Sequence, residues 1–343
     1  MQIIHILVLV IVYFSIFSIS SSTFAASTDG ICRSATWNRN GITVAGGKGQ
    51  GSALNQLAYP EGVFVDDDGA IFIADRDNHR VIKYMPGASN GELVAGGNKP
   101  GNNSNQLYTP SKVVVDKHGT MFICDRINNR VQRWSKNANQ GETIMKNITC
   151  WGLALDMEGS LYVSDMEGHQ VIQWPQNRIV AGGNGKGNAL NQLVHPYHIF
   201  VHQDGSIFIT DKGNNRIVKW AVGANQGTVI AGFNGYGNGV DQLYRPYAVV
   251  VDQMNTAYVL EYINLRVTRW FEGEKSSSII IGGDGYGLGA DKLYFPRDIA
   301  FDRQGNLYIK VLVINRSKVM DNYFKMEANH HLQEPFLLFI LKK

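Results

Sequence analysis

The chain has 343 residues, 44% of them hydrophobic and 18% charged, with a formal net charge of +3 and a pI near 8.6. That balance excludes a disordered polyelectrolyte and gives no concentrated basic surface of the kind nucleic-acid binding needs. The 37 glycines against 9 prolines point instead to many tight turns between short strands.

Residues 1–19 are almost wholly apolar, and small residues follow up to Ala25 and Ala26. Residues 1–26 are expected to be a secretory signal cleaved near Ala25 or Ala26. No Lys or Arg precedes the apolar run, so an uncleaved signal anchor is the alternative. The expected location is therefore extracellular, with membrane anchoring as the second option. Cysteines occur only at Cys32, Cys124 and Cys150, which allows one intrachain pair and leaves one thiol. Glycosylation acceptor sequences stand at Asn102, Asn147 and Asn315.

From Ile42 onward one pattern recurs. A VAGG-like strand leads into a glycine-rich turn, then NQL and a proline. V-x-V-D, a turn glycine and an apolar run ending in Asp follow, and N-x-R-V with an aromatic closes the unit. Pro60, Pro110, Pro196, Pro246 and Pro296 mark five units, and Cys150 takes the proline's place in the third. Consecutive marks lie 50 or fewer residues apart, a spacing typical of propeller blades or solenoid turns. Alternation such as Val63, Val65 and Ile71, Ile73 has period two and predicts strands, four to a unit. The units fall near 60–97, 110–146, 150–183, 196–233, 246–283 and 296–320. Cys124, beside the acidic mark of unit two, and Cys150 are the expected disulfide pair.

The motif P-x-x-V-x-V-D…G-x-x-F-I-x-D-x-x-N-x-R-V resembles the NHL repeat and extends from about Thr36 to Ile314. The resemblance implies an all-β fold, a six-bladed β-propeller spanning residues 27–320. It also implies closure by chain ends sharing one blade, with 42–45 completing the last. Copies differ. Unit three reads ETIMKNITCWGLALD and has Gly168 and Gln170 in place of Asn and Arg. Unit six departs after Ile309, with Val311 at the acidic position, and residues 321–343 match nothing in the repeat.

The recurrence of Asp75 with Arg80, Asp125 with Arg130 and Asp211 with Arg216 marks structural staples, because a catalytic group is needed once and a staple in every blade. GGNGKGN at Gly182 looks like a phosphate loop but lacks the Ser or Thr after Lys186 and recurs elsewhere, so it reads as a blade connection. Function is sought where equivalent loop positions differ. After the proline marks and the acidic marks these are Arg76, Lys112, Arg126, Trp151, Tyr197, His198, Lys212, Tyr247, Tyr262 and Arg297. They are expected to ring a channel mouth as an aromatic and basic surface of the type enriched at interfaces.

The expected function is extracellular binding of a protein, peptide or glycan, with no cofactor, no metal and no catalytic residue. Three alternatives follow from the resemblance. Peptidyl-hydroxyglycine amidating lyases use zinc held by histidines from several blades, but here His198 alone starts an inner strand, while His195 and His202 share its blade. His79 and His169 read as solvated loop residues. A calcium site would need more channel acids than Glu61 and Asp298. RNA binding, known for some intracellular members, requires that the N-terminal segment not direct export.

Overall fold

The computed structural model describes residues 31, 33–39, 41–285, 291–312 and 336–342. The expected signal segment, Cys32 and Asn315 lie outside them. In chain order β1 (Ile42–Gly46) precedes blade one, which is β2 (Val63–Val65), β3 (Ile71–Asp75), β4 (Arg80–Tyr84) and β5 (Glu92–Gly96). Blade two is β6 (Pro110–Val115), β7 (Met121–Asp125), β8 (Arg130–Trp134) and β9 (Glu142–Lys146). Blade three is β10 (Cys150–Leu155), β11 (Leu161–Asp165), β12 (Gln170–Trp174) and β13 (Arg178–Gly182). Blade four is β14 (Pro196–Val201), β15 (Ile207–Asp211), β16 (Arg216–Trp220) and β17 (Thr228–Ala231). Blade five is β18 (Pro246–Val251), β19 (Ala257–Glu261), β20 (Arg266–Trp270) and β21 (Ser277–Gly282). The last strands are β22 (Asp298–Phe301), β23 (Leu307–Leu312) and β24 (Phe336–Leu341).

These strands form six four-stranded antiparallel sheets, and the fold is an all-β six-bladed propeller. The innermost strands surround the axis, each touching the next, with β22 touching β2 to close the ring. Prolines begin β6, β14 and β18, the strand position at which the missing N–H costs least.

The strands are apolar on both faces because each blade is packed on both sides. Alternate residues of β3 serve different seams. Ile71 and Ile73 pack with Tyr308, Leu338 and Ile340 of blade six, while Phe72 packs with Val113, Met121 and Trp134 of blade two. One apolar cluster of this kind fills each of the six seams. Trp134, Trp220 and Trp270 are almost fully buried in them, as packing residues.

Blade six confirms one expectation and moves a boundary. Its strand order is β1-β24-β23-β22, so Ile42–Gly46 is the outer strand, as the implied closure requires. The third strand is Phe336–Leu341, in the stretch that matched no repeat and was set outside the propeller. Its FLLFIL run pairs Phe339 with Ile309 and Ile340 with Ile42, and Leu338, Ile340 and Leu341 are buried. An apolar strand buried on both faces needs no motif, which hides it from a repeat search. Val311, at the acidic position, is 1% exposed and packs in the core between blades five and six. The residues before β1 also join the ring: Trp37 Nε1 donates to Gly305 O at 2.9 Å and its ring meets Tyr258 edge-on.

Cys124 and Cys150 are joined by a disulfide, Cα atoms 5.4 Å apart, which links β7 of blade two to β10 of blade three. Asn102 and Asn147 are exposed.

Candidate functional site

The loop face is held by one device repeated around the ring. Arg80 Nε donates to Asp75 at 2.8 Å, Arg130 to Asp125 at 2.7 Å and Arg216 to Asp211 at 2.7 Å. Blade five has the same staple with a longer acid, Arg266 to Glu261 at 2.6 Å. In blade three Gln170 reaches Asp165 at 3.2 Å without a charge. The staple reaches further than the turn it was expected to tie. Each Asp also accepts the backbone N–H that follows NQL (Ala58 at 2.7 Å, Tyr108 at 2.6 Å, Val194 at 2.7 Å), and the Arg forks hold carbonyls of the same loop, such as Ser52 and Gln56. Asn78 donates to Gly51 O and to Asp75, as Asn128 and Asn214 do in their blades. Charge-assisted bonds to buried carboxylates explain why the loops bearing the variable residues are fixed.

A second device crosses between blades. The residue before the proline mark has positive φ in five blades: Tyr59, Thr109, His195, Arg245 and Phe295. His79 Nδ1 accepts the Thr109 N–H at 3.2 Å, and His169 Nδ1 accepts that of His195 at 3.3 Å. Asn215 Oδ1 does the same for Arg245 at 2.9 Å. His79 and His169 are thus fasteners between blades, which corrects their reading as solvated loop residues.

On this frame the second residues of β10, β14 and β18 and the residue after β19 meet. Trp151 stacks on Tyr197 (centroids 4.2 Å apart), Tyr197 meets Tyr247 (4.7 Å), and Tyr247 stacks on Tyr262 (4.6 Å). Phe295 extends the arc beyond Tyr262 at 5.5 Å. Cations lie against it. The Arg126 guanidinium is 5.0 Å from the Trp151 ring, Lys212 Nζ 4.1 Å from Tyr197 and 4.4 Å from Tyr247, and Arg297 5.6 Å from Tyr262. Such cation–aromatic contacts strengthen where water is excluded. Burial pushes the Lys212 ammonium down to about 8, helped by Arg245 and Arg297 and opposed by Glu61.

Beneath the arc the channel holds two ionic groups. Glu61 takes Arg297 Nη1 at 2.8 Å, the Tyr197 hydroxyl at 3.2 Å and Arg76 at 3.5 Å. Burial would raise its carboxyl, but Arg297, Lys310 and Arg76 together hold it below the usual range. Burial drives the Lys310 ammonium well down. The second group joins four blades. Lys112 Nζ donates to Asp298 Oδ2 at 2.5 Å and to Val63 O at 3.1 Å, and His198 Nε2 faces Asp298 Oδ1 at 3.3 Å. Burial and the neighbouring Lys112 push the His198 imidazole well below its ordinary value. Burial raises Asp298 despite Lys112.

The structure therefore divides the expected ring. Trp151, Tyr197, Tyr247, Tyr262, Arg126, Lys212 and Arg297 come together at the mouth. Arg76 is half-buried and committed to Glu61 and Asp77. Lys112 and His198 are buried in the channel, 5% and 7% exposed, and are engaged with Asp298 rather than presented to a ligand. Both channel acids are neutralised by cations, so neither offers an open anionic cradle. Among the described residues no three His, Cys, Asp or Glu side chains are grouped to hold a metal ion.

Sequence reading missed Phe295 and Arg245. Both stand just before a proline mark, a position as variable as those chosen, and that variability was the available signal. Arg245 is exposed and lines a cleft of about 680 Å³ with Met166, His195, Lys212, Tyr236 and Tyr244.

The NHL repeat model matches residues 57–84, from the NQL loop through β4. No curated protein sequence matches the chain. Among solved structures, a protein of unknown function from Bacteroides thetaiotaomicron is 14% identical, with TM-score 0.60, over 88% of this chain and 76% of that one. Virginiamycin B lyase from Staphylococcus aureus is 14% identical, with TM-score 0.52, over 76% and 81%. A calcium-binding regucalcin from Agrobacterium tumefaciens is 12% identical, with TM-score 0.54, over 86% and 95%. At these identities the likeness is one of fold.

Proposed function

Since the chain belongs to the NHL-repeat family, we propose that it is an extracellular, non-enzymatic binding scaffold whose ligand sits on the loop face, across the arc from Trp151 to Phe295. The observation that carries this reading is the unbroken contact of five aromatic rings from blades three to six with Arg126, Lys212 and Arg297 against them. Rigid aromatic anchors ringed by cations are the composition of binding hot spots. The disulfide between Cys124 and Cys150 supports an oxidising, extracellular setting, as does the apolar N-terminal segment.

Catalysis is less well supported. Glu61 and Asp298 are consumed by internal ion pairs, and His198 faces Asp298. Functions of the lyase and of regucalcin belong to those proteins.

The test expresses the chain with a C-terminal tag, collects it from the medium and captures ligand from extracellular fluid. The double variant Trp151→Ala, Tyr262→Ala should melt as a single folded species and lose the captured ligand. Ligand retained by that variant would place the site elsewhere. Protein retained in the cytosol would overturn the extracellular part.

A further inference from the structure

We propose that the cleft between blades three, four and five binds the carboxylate of a uronate unit in a short acidic saccharide, through Lys212 and Arg245. This rests on the reading above that the loop face is the binding surface, and it names the ligand chemistry there.

The cations of this face differ in what they are paired with. Arg297 and Arg76 share Glu61, and Lys112 has Asp298. Lys212 and Arg245 have no carboxylate within ion-pair distance among the described residues. Lys212 is nevertheless half-buried, and its ammonium rests on the faces of Tyr197 and Tyr247. A cation buried without a counter-ion is costly, and an anionic ligand removes that cost. The lowered ammonium of Lys212 is consistent with this, since Arg245 is among the groups pushing it down. One acid borders the cleft, Glu167, and it is exposed and 3.9 Å from His195.

The walls argue for a sugar. Tyr236 is 69% exposed, and its ring meets that of Tyr244 at 5.6 Å, so an aromatic surface lies open beside the cations. Met166 is the one aliphatic side chain among the described lining residues, so the walls are aromatic and polar rather than those of an apolar peptide pocket. Sugar rings lay C–H faces on exposed aromatic rings while a carboxylate takes a guanidinium or ammonium. The volume of about 680 Å³ falls within the range of small-ligand sites.

Calorimetric titration of the secreted protein with a galacturonate trisaccharide, its methyl ester and an oligoglutamate of equal charge tests the proposal. The free acid should bind, and the ester should bind roughly tenfold more weakly or worse. Lys212→Gln and Arg245→Gln should each weaken binding by a similar factor at unchanged melting temperature. Affinity should fall between about pH 7 and about pH 9 as Lys212 loses its charge. Equal binding of the ester, tighter binding of oligoglutamate, or no binding at millimolar saccharide would overturn it. Saccharide binding that survives both substitutions but is lost in Trp151→Ala, Tyr262→Ala would defeat the cleft assignment and leave the loop-face reading standing. Capture of an extracellular ligand by a protein that ignores the saccharide would do the same.

Discussion

The imidazole of His79 in blade one accepts the backbone N–H of Thr109 in blade two, so a histidine ring fastens two blades together at 3.2 Å. The bond needs an unprotonated Nδ1. Burial holds His79 below its ordinary value of 6.5, with Asp77 and Asp125 opposing, and burial likewise lowers His195 and, more strongly, His198. A histidine with a depressed folded pKa contributes stability that is present above the unfolded value and is lost as pH falls through the folded one. Melting temperature is therefore expected to drop as pH falls below 6.5. His79→Asn supplies an acceptor that does not titrate, as Asn215 does for Arg245. The variant should gain on the wild type steadily as pH is lowered, and a constant difference would show that the ring does not act this way.

The buried staples should be unequal in cost. Arg216→Met leaves the Asp211 carboxylate buried without its cation, a loss of about 3–5 kcal/mol. Gln170→Met in blade three removes one uncharged contact and should cost about 1 kcal/mol. Denaturant unfolding of the two variants side by side measures the difference.

Gly152 marks where neighbouring inner strands crowd. A Cβ there would stand 2.5 Å from Tyr197 O, a backbone atom. Gly152→Ala should destabilise by about 1–3 kcal/mol and push Tyr197 off Trp151. Near-ultraviolet circular dichroism of the aromatic arc, read with the melting temperature, reports both effects.

Truncation after residue 320 removes β24. Leu338, Ile340 and Leu341 would leave the core, each contributing about 1.5–3 kcal/mol by burial, and β1 and β23 would lose their partner. The truncated chain should fail to give a cooperative unfolding transition. A monomeric variant melting like the full chain would show that the ring closes without this strand.

Much of the architecture was legible because its physics is local. Strand side chains alternate, so a period-two pattern recurring at 50 residues or fewer specifies strands, blades and their number. The Asp–Arg staples are legible for the same reason: the two residues lie five positions apart on paired strands, and register brings them together. The role of Phe336–Leu341 was not legible, because an apolar run carries no sign of which strand it will lie beside.

The site divides along the same line. The residue types at the loop positions are written in the chain. Ring closure decides which of them meet, since Lys112 and Asp298 are 186 positions apart and Glu61 and Arg297 are 236 apart. Sequence alone determined a ring of six sheets, three of them with a readable Asp–Arg staple, with variable aromatic and basic residues on its loops. Tertiary structure decided that Lys112 turns inward to pair with Asp298, with His198 beside them, while Lys212 and Arg245 have no carboxylate within ion-pair distance among the described residues. The physical reason is that the pairing of a charge depends on which blade lies within a few ångströms across the axis, and spacing along the chain says nothing about that distance.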